Sequence, residues 1–169
     1  MKKIYFISAF NTIVILVFLG LLSKAATENN YRVITKALSD SAEIKILIEK
    51  YAQSISNADT VLASGLFLHS HEVSYIHPRG HEHGWSEINN HIYKFFADYF
   101  SKRKLTISSE QVTVYGETAW VELYWVFDAT FKKDNSSLHT SGRETQVWRK
   151  IKNNWRIVHI HYSNFPEKN

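Results

Sequence analysis

The chain has 169 residues, of which 44% are apolar and 14% aromatic, so it can build one hydrophobic core and is not a disordered chain. It has no cysteine, which excludes disulfides, thiol catalysis and lipid attachment through a cysteine. Three of its 20 basic residues and none of its 16 acidic residues lie in the first 25 positions, so the remainder is nearly neutral. That remainder has no basic stripe, and no nucleic-acid partner is predicted.

Residues 1–25 have the layout of a secretory signal peptide. Two lysines open the chain, an apolar run fills residues 4–22, and small residues stand at positions −3 and −1 if cleavage follows Ala25. The sequence therefore predicts a periplasmic or secreted protein. The alternative is an uncleaved membrane anchor, because an apolar run of nineteen residues approaches the length that spans a bilayer. Only in that case is a membrane contact expected.

Three helices are predicted after the signal. Residues 26–39 are polar and indicate a linker or a leading helix. Asp40 and Glu43 fit a capping box, and apolar residues at helical spacing follow, which predicts helix one over residues 41–56. A short second helix is predicted over residues 59–67 and a third over residues 86–101.

Strands dominate the rest of the chain. A short strand over residues 73–77 ends in a turn at residues 78–80. Alternating, β-branched and aromatic residues then predict four strands joined as an antiparallel meander, over residues 105–115, 118–131, 140–151 and 155–163. Helices followed by a meander predict an α+β domain over residues 40–166.

The segments GETAWVELYWVFDATF, SGRETQVWRK and NNWRIVHIHYSNFP, in this order after three helices, resemble the SnoaL-like members of the nuclear transport factor 2-like superfamily. The likeness is greatest to the association domain of calcium/calmodulin-dependent protein kinase II and its free-standing bacterial relatives. It implies a cystatin-like fold, in which a cone-shaped, curved antiparallel sheet carries three N-terminal helices on one face and encloses a pocket. It also implies a homodimer or a larger homo-oligomer. The family holds isomerases, cyclases, dehydratases and scaffolds, so the fold does not fix an activity.

The strand at residues 118–131 has one apolar face and one mixed face, since side chains alternate along a strand. The mixed face carries Trp120, Tyr124 and Asp128, and directed polar groups among aromatic ones are typical of a ligand pocket. We therefore expect this face to line the pocket. The alternative is that the apolar face is the core and the mixed face is solvated.

His159 and His161 share one face of the last strand, and Tyr162 shares the other. By the resemblance, Tyr162 lies on the pocket side, so the two histidines are expected on the outer face, where sheets pack. The alternative keeps one histidine at the pocket rim as a proton carrier, because a bulge in the sheet could exchange the faces.

The predicted function is binding of a small, largely apolar molecule, with cofactor-free acid–base chemistry if the protein is an enzyme. His91 or Asp128 would move the proton and Tyr124 would hold an oxyanion. The arginines that line the kinase domain's pocket align here with Val126, Gln146 and Tyr162, so a preference for acidic ligands is not transferred. The residues expected to contact the ligand are Tyr51, His77, Trp120, Gln146, His159, His161 and Tyr162.

Two other functions stay open. One is a non-catalytic oligomerisation module like the kinase association domain. The other is a histidine-rich, metal-dependent enzyme, because His81, His83 and Glu87 match half of a cupin metal motif. The flanking glycines of that motif are missing, so no metal ligand is predicted. Arg143 and Glu144 are interpreted as members of a cross-strand ion pair.

Overall fold

The computed structural model describes the backbone of residues 4–166 and the side chains of residues 23–166. It divides into two compact units, residues 1–39 and 40–169. In the first unit, residues 23–39 are helical and almost wholly exposed, so the segment predicted as a linker or leading helix is a helix. The apolar run of the predicted signal peptide lies outside the residues with described side chains. Among the described residues, no helix is long and apolar enough to cross a membrane.

Two helices precede the first strand of the chain, and a second group of short helices follows the second strand. Asp59 caps the N-terminus of α2 (Thr60–Leu66), because its carboxylate accepts hydrogen bonds from the Val61 and Leu62 amides at 3.0 and 2.9 Å. The predicted third helix is three short pieces, with a π-helical turn at Asn89–Tyr93 in the middle, and it ends where a strand begins at Phe100. The α-helices are α1 (Ile4–Asn57), α2 (Thr60–Leu66), α3 (Gly84–Ile88) and α4 (Lys94–Tyr99).

The sheet has six strands: β1 (Ser74–His77), β2 (Gly80–His83), β3 (Phe100–Tyr115), β4 (Thr118–Phe131), β5 (Ser137–Ile151) and β6 (Asn154–Asn164). Their order in the sheet is β2-β1-β6-β5-β4-β3. All neighbours are antiparallel except β1 and β6, which are parallel. The predicted meander is present as β3 to β6. The sequence missed β2, because its four residues are polar and follow a turn, and it missed the parallel pairing.

Within residues 40–166 the helices pack on one face of the curved sheet, which confirms the predicted α+β class. The part of α1 from residue 40 onwards buries one stripe at helical spacing, and β4 buries its apolar face. Burying each of these large side chains contributes about 1.5–3 kcal/mol before the cost of ordering the chain. The stripe consists of Ile44, Ile48, Tyr51, Ala52 and Ile55, and the β4 face of Ala119, Val121, Leu123, Trp125, Phe127 and Ala129.

Asp40 does not cap a helix, so the predicted capping box is wrong. The helix runs through this position without a break. The Asp40 carboxylate instead accepts a hydrogen bond from the Lys150 ammonium on β5 at 2.5 Å, and both side chains are largely buried. A buried ion pair of this kind ties α1 to the sheet, since losing either partner would leave a buried charge uncompensated.

Candidate functional site

A cavity of about 510 Å³ lies between the helices and the inner face of the sheet. Its size falls within the range of small-molecule sites in proteins. Arg79 and Glu144 are the two charged residues among those that line it. The wall is otherwise mainly aromatic, with Tyr51, Tyr75, Phe95, Phe96, Tyr99, Phe100, Trp125, Phe127, Phe131 and Tyr162.

Strand alternation and one glycine create this wall. Trp125 and Phe127 lie on the inner face of β4, and Gly142 on β5 is paired with Trp125. A Cβ atom on Gly142 would lie 2.5 Å from the Trp125 ring and 2.1 Å from the Ser163 carbonyl oxygen. Glycine is therefore required at this position so that the indole and the neighbouring strand can approach closely.

Glu144 is the buried carboxyl group of the cavity wall. Its Oε1 accepts a hydrogen bond from the Gln146 side-chain amide at 2.6 Å, and its Oε2 accepts one from the Tyr51 hydroxyl at 3.3 Å. The Tyr51 and Tyr75 hydroxyl oxygens are 3.0 Å apart. Gln146 is held in turn by the Trp148 indole N–H, which donates to its carbonyl oxygen at 2.9 Å. The carboxyl group is thus fixed in orientation by side chains on its own strand and on α1.

Burial controls the protonation of this network. It raises the pKa of Glu144 to about 7, although the hydrogen bonds from Gln146 and Tyr51 partly oppose the shift. Burial, reinforced by the nearby Glu144 carboxylate, also raises the pKa values of Tyr51 and Tyr75 well above their usual value. At neutral pH the Glu144 carboxyl can therefore take up or release a proton, while both tyrosines remain hydrogen-bond donors.

Three predicted ligand residues belong to this region. Tyr51 and Tyr162 line the cavity, and Gln146 lies buried behind Glu144, which it orients. His77 is buried in the layer behind the wall, where its ring stacks on that of Tyr162 with the centroids 6.2 Å apart. His77 therefore supports a wall residue and is not among the residues that line the cavity.

His91 lies away from the cavity. Its side chain is 58% exposed, and its Nδ1 is 2.5 Å from Glu82 Oε2. The other oxygen of Glu82 is 3.2 Å from His77 Nε2. These two imidazoles lower the pKa of Glu82 although its burial acts in the opposite direction. The predicted proton carrier is thus part of a hydrogen-bonded cluster that joins β1, β2 and the π-helical turn.

The expectation that the mixed face of β4 lines the pocket is wrong. Trp120, Tyr124 and Asp128 all lie on the outer face of the sheet and are exposed, with Asp128 Oδ1 2.6 Å from His139 Nδ1. The physical reason is that the opposite face of β4 is wholly apolar and aromatic, so its burial against the helices dominates. Tyr124 and Asp128 therefore cannot act on a ligand inside the cavity of their own chain.

His159 and His161 also lie on the outer face of β6. His159 Nδ1 is 2.7 Å from the Ser74 hydroxyl on β1, and partial burial together with the neighbouring His161 and His81 lowers the pKa of His159. Neither histidine is among the residues that line the cavity. A register shift between β5 and β6 precedes them, and it places Ile157 and Ile160 on the buried side.

The metal motif does not assemble. Within residues 23–166 no group of three or more His, Asp and Glu side chains is placed to hold a metal ion. The rings of His81 and His83 are 4.1 Å apart. The Glu87 carboxylate, which would complete the cupin half-motif, accepts a hydrogen bond from the His83 amide at 2.7 Å. It acts at the start of α3, where an acidic side chain is favourable.

The sequence missed Glu144, Tyr75 and Arg79. One signal for Glu144 was present: the resemblance placed Gln146 in the pocket, and the residue two positions earlier on a strand shares its face. Tyr75 carried no comparable signal because it lies on a strand of only four residues. Arg79 was hidden in a turn whose side-chain direction the sequence does not give.

Comparison with known proteins agrees with the fold. The model of the SnoaL-like domain matches residues 44–167. The chain is similar to a nuclear transport factor 2-like superfamily protein from Salmonella enterica serovar Typhimurium strain LT2, with 43% identity over 76% of this chain and 93% of that chain and a TM-score of 0.73. No curated protein sequence matches.

Two more distant structures show the same fold. A candidate calcium/calmodulin-dependent protein kinase II association domain from Xanthomonas campestris has 19% identity over 75% of this chain and 88% of that chain, with a TM-score of 0.63. A candidate scytalone dehydratase from Novosphingobium aromaticivorans has 12% identity over 76% and 86%, with a TM-score of 0.69. The chain belongs to the SnoaL-like family of the nuclear transport factor 2-like superfamily.

Proposed function

We propose that the protein binds a small, largely apolar molecule in the cavity and carries out cofactor-free acid–base chemistry on it, of the isomerase or dehydratase type. One observation carries the proposal: Glu144 is a buried carboxyl group on the cavity wall, and burial brings its pKa to about 7. A general base or acid works best when its pKa is near the working pH. Perturbed ionisable groups in a cavity are typical of active sites.

The roles follow from the geometry. Glu144 would take a proton from the substrate or deliver one to it, while Gln146 holds its carboxyl group in place. The Tyr51 hydroxyl donates its one proton to Glu144, so the Tyr75 hydroxyl beside it would turn to donate a hydrogen bond to an oxygen on which negative charge develops. With a ligand bound, the aromatic wall would exclude water and strengthen these interactions. These residues replace His91, Asp128 and Tyr124 as the candidate catalytic groups.

The base can be tested without knowing the natural substrate. A nitrobenzisoxazole is a flat apolar molecule that opens to a coloured cyanophenolate when a base removes its ring proton. We expect turnover that increases with pH with a midpoint near 7, the pKa of Glu144. Glu144→Gln should reduce the rate about 100-fold, since removing a positioned base typically costs this much. Asp128→Asn removes an exposed carboxylate on the outer face and should leave the rate unchanged.

Binding is measured separately with a neutral fluorescent dye that brightens in apolar surroundings. If the dye binds but wild type and Glu144→Gln open the benzisoxazole equally fast, the cavity binds ligands and Glu144 is not a base. If the dye does not bind at all, the small-molecule function is wrong.

A non-catalytic assembly module is the second candidate. It is favoured by aromatic side chains on the outer face of the sheet, where Trp120 is 42% exposed and Tyr124 is 48% exposed. The Tyr124 ring stacks on that of Phe165 with the centroids 6.0 Å apart. Exposed aromatic clusters of this kind are typical of protein interfaces.

A further inference from the structure

Arg79 places a positive charge at the exposed edge of the cavity. It lies with Pro78 in the two-residue loop between β1 and β2, where His77 pairs with Gly80. Its side chain is exposed to solvent and is also part of the cavity wall. The tight loop leaves Arg79 few backbone conformations, so the start of this side chain is well fixed.

The guanidinium group is held against an aromatic ring. Its central carbon lies 3.7 Å from the centroid of the Phe95 ring, which also lines the cavity. Stacking on a ring face engages the π surface of the guanidinium and leaves its N–H groups directed outward in the plane. Arg79 forms no ion pair with any residue among positions 23–166.

The effect of the Arg79 charge on Tyr162 indicates that this charge lies close to the cavity. The Arg79 charge lowers the pKa of Tyr162, although burial dominates and raises that pKa to about 12 overall. Tyr162 is a wall residue on β6, so the field of Arg79 reaches into the cavity. Glu144, the other charged wall residue, is buried, whereas Arg79 is exposed.

We infer that the cavity selects flat apolar molecules that carry one carboxylate or similar anionic group, and that Arg79 binds this group at the cavity edge. The inference rests on the proposed function and names its substrate class. A guanidinium held in one plane pairs with a carboxylate through two parallel hydrogen bonds. The apolar part of the ligand would lie on the aromatic wall, with its other end towards Glu144. In this orientation the ligand's charge is kept away from the group that exchanges protons.

The test compares naphthoate with naphthamide, which have the same shape and differ in charge. Each displaces the neutral dye at about pH 6, where Glu144 is largely protonated and naphthoate is ionised. Wild type should bind naphthoate about tenfold more tightly than naphthamide. Arg79→Gln should abolish this preference, which is a ratio of two affinities within one variant and so does not depend on how tightly the dye binds, and Arg79→Lys should retain part of it.

Arg143→Gln is the matched control, since it removes the same charge next to Glu144 in sequence but from the opposite, outer face of β5. Its preference for naphthoate should stay within about twofold of wild type. If Arg79→Gln does not fold, the affinity of wild type for the two probes is measured at increasing salt concentration instead. Only naphthoate binding should weaken, because salt screens its attraction to Arg79. Equal affinities for the two probes in wild type, or an undiminished preference in Arg79→Gln, would overturn the inference. Dye binding that persists in those cases leaves the proposed function standing.

Discussion

The carboxyl group of Glu144 has two hydrogen-bond donors and almost no contact with solvent. Because the donors only partly offset the loss of hydration, the neutral acid is favoured in the folded protein up to a pH of about 7. The unfolded chain has no such preference, and its carboxyl ionises at its usual pKa near 4.5. The same property that suits proton transfer therefore makes folding depend on pH.

Stability should decrease between about pH 4.5 and 7 for this reason. The folded pKa lies above the unfolded one, so the stabilisation is complete below the unfolded pKa and is lost as the pH rises through the folded pKa. The loss should be on the order of 3 kcal/mol. Glu144→Gln should remove this dependence. In urea unfolding, the stability of the variant relative to wild type should therefore be greater at pH 8 than at pH 5. A difference between variant and wild type that is the same at both pH values would contradict this prediction. As a control, Asp128→Asn removes an exposed carboxylate and should leave the pH dependence of stability unchanged.

Individual site residues were predictable only where the buried face of their own helix or strand was correctly assigned. Tyr162 was assigned to the pocket side by the family resemblance and Tyr51 by its helical spacing, and both line the cavity. Glu144 was interpreted as an ion-pair member because glutamate is rarely buried, and sequence alone does not show which polar side chain receives internal partners.

At the level of elements, β4 shows why a polar face can be mistaken for a pocket. One face is mixed and the other is apolar, and both patterns fit a site lined by hydrophobic side chains with a few polar groups. The helices select the more apolar face, since it removes more apolar surface from water. The mixed face that remains outside carries Trp120 and Tyr124, which still require an explanation.

We propose that self-association through this outer face explains these two exposed side chains. Tyr124→Lys would introduce a charge into the centre of such an interface and should shift a dimer to a monomer, as measured by light scattering during gel filtration. Ile46→Lys is the matched control, because Ile46 is 60% exposed on α1 and lies on a helix, away from the outer face of the sheet. A wild-type protein that is monomeric at high concentration would rule out the assembly role.

For the whole molecule, the order of helices and strands was predictable because long periodic segments dominate the chain. The sequence did not predict that β2 exists or that β1 joins β6, since both depend on contacts between distant residues and on strands of four residues. The helix through residue 40 was missed for a related reason. A capping pattern predicts a helix start only when no helix is already running into it.

Residues 1–25 remain a proposed export signal, and the full chain can test it. Expressed in a Gram-negative host, the protein recovered from the periplasm should begin at Ala26 by N-terminal sequencing. Ala25→Phe removes the small residue before the cleavage site and should yield an uncleaved chain that stays with the membrane. Wild-type protein that remains intact in the membrane fraction would favour the anchor instead.

The parallel pairing of β1 with β6 has a consequence for when the chain can fold. Ser74 lies beside His159 in the sheet, although 85 residues separate them along the chain. During synthesis, β1 and its hairpin partner β2 therefore cannot pair with β6 until nearly the whole domain has been made. Sheets that depend on contacts between such distant segments form slowly. The sheet cannot close around the cavity until the last strand has emerged. The export proposed from residues 1–25 would require an unfolded chain at a narrow channel, and this strand order would delay folding in the way that such transport needs.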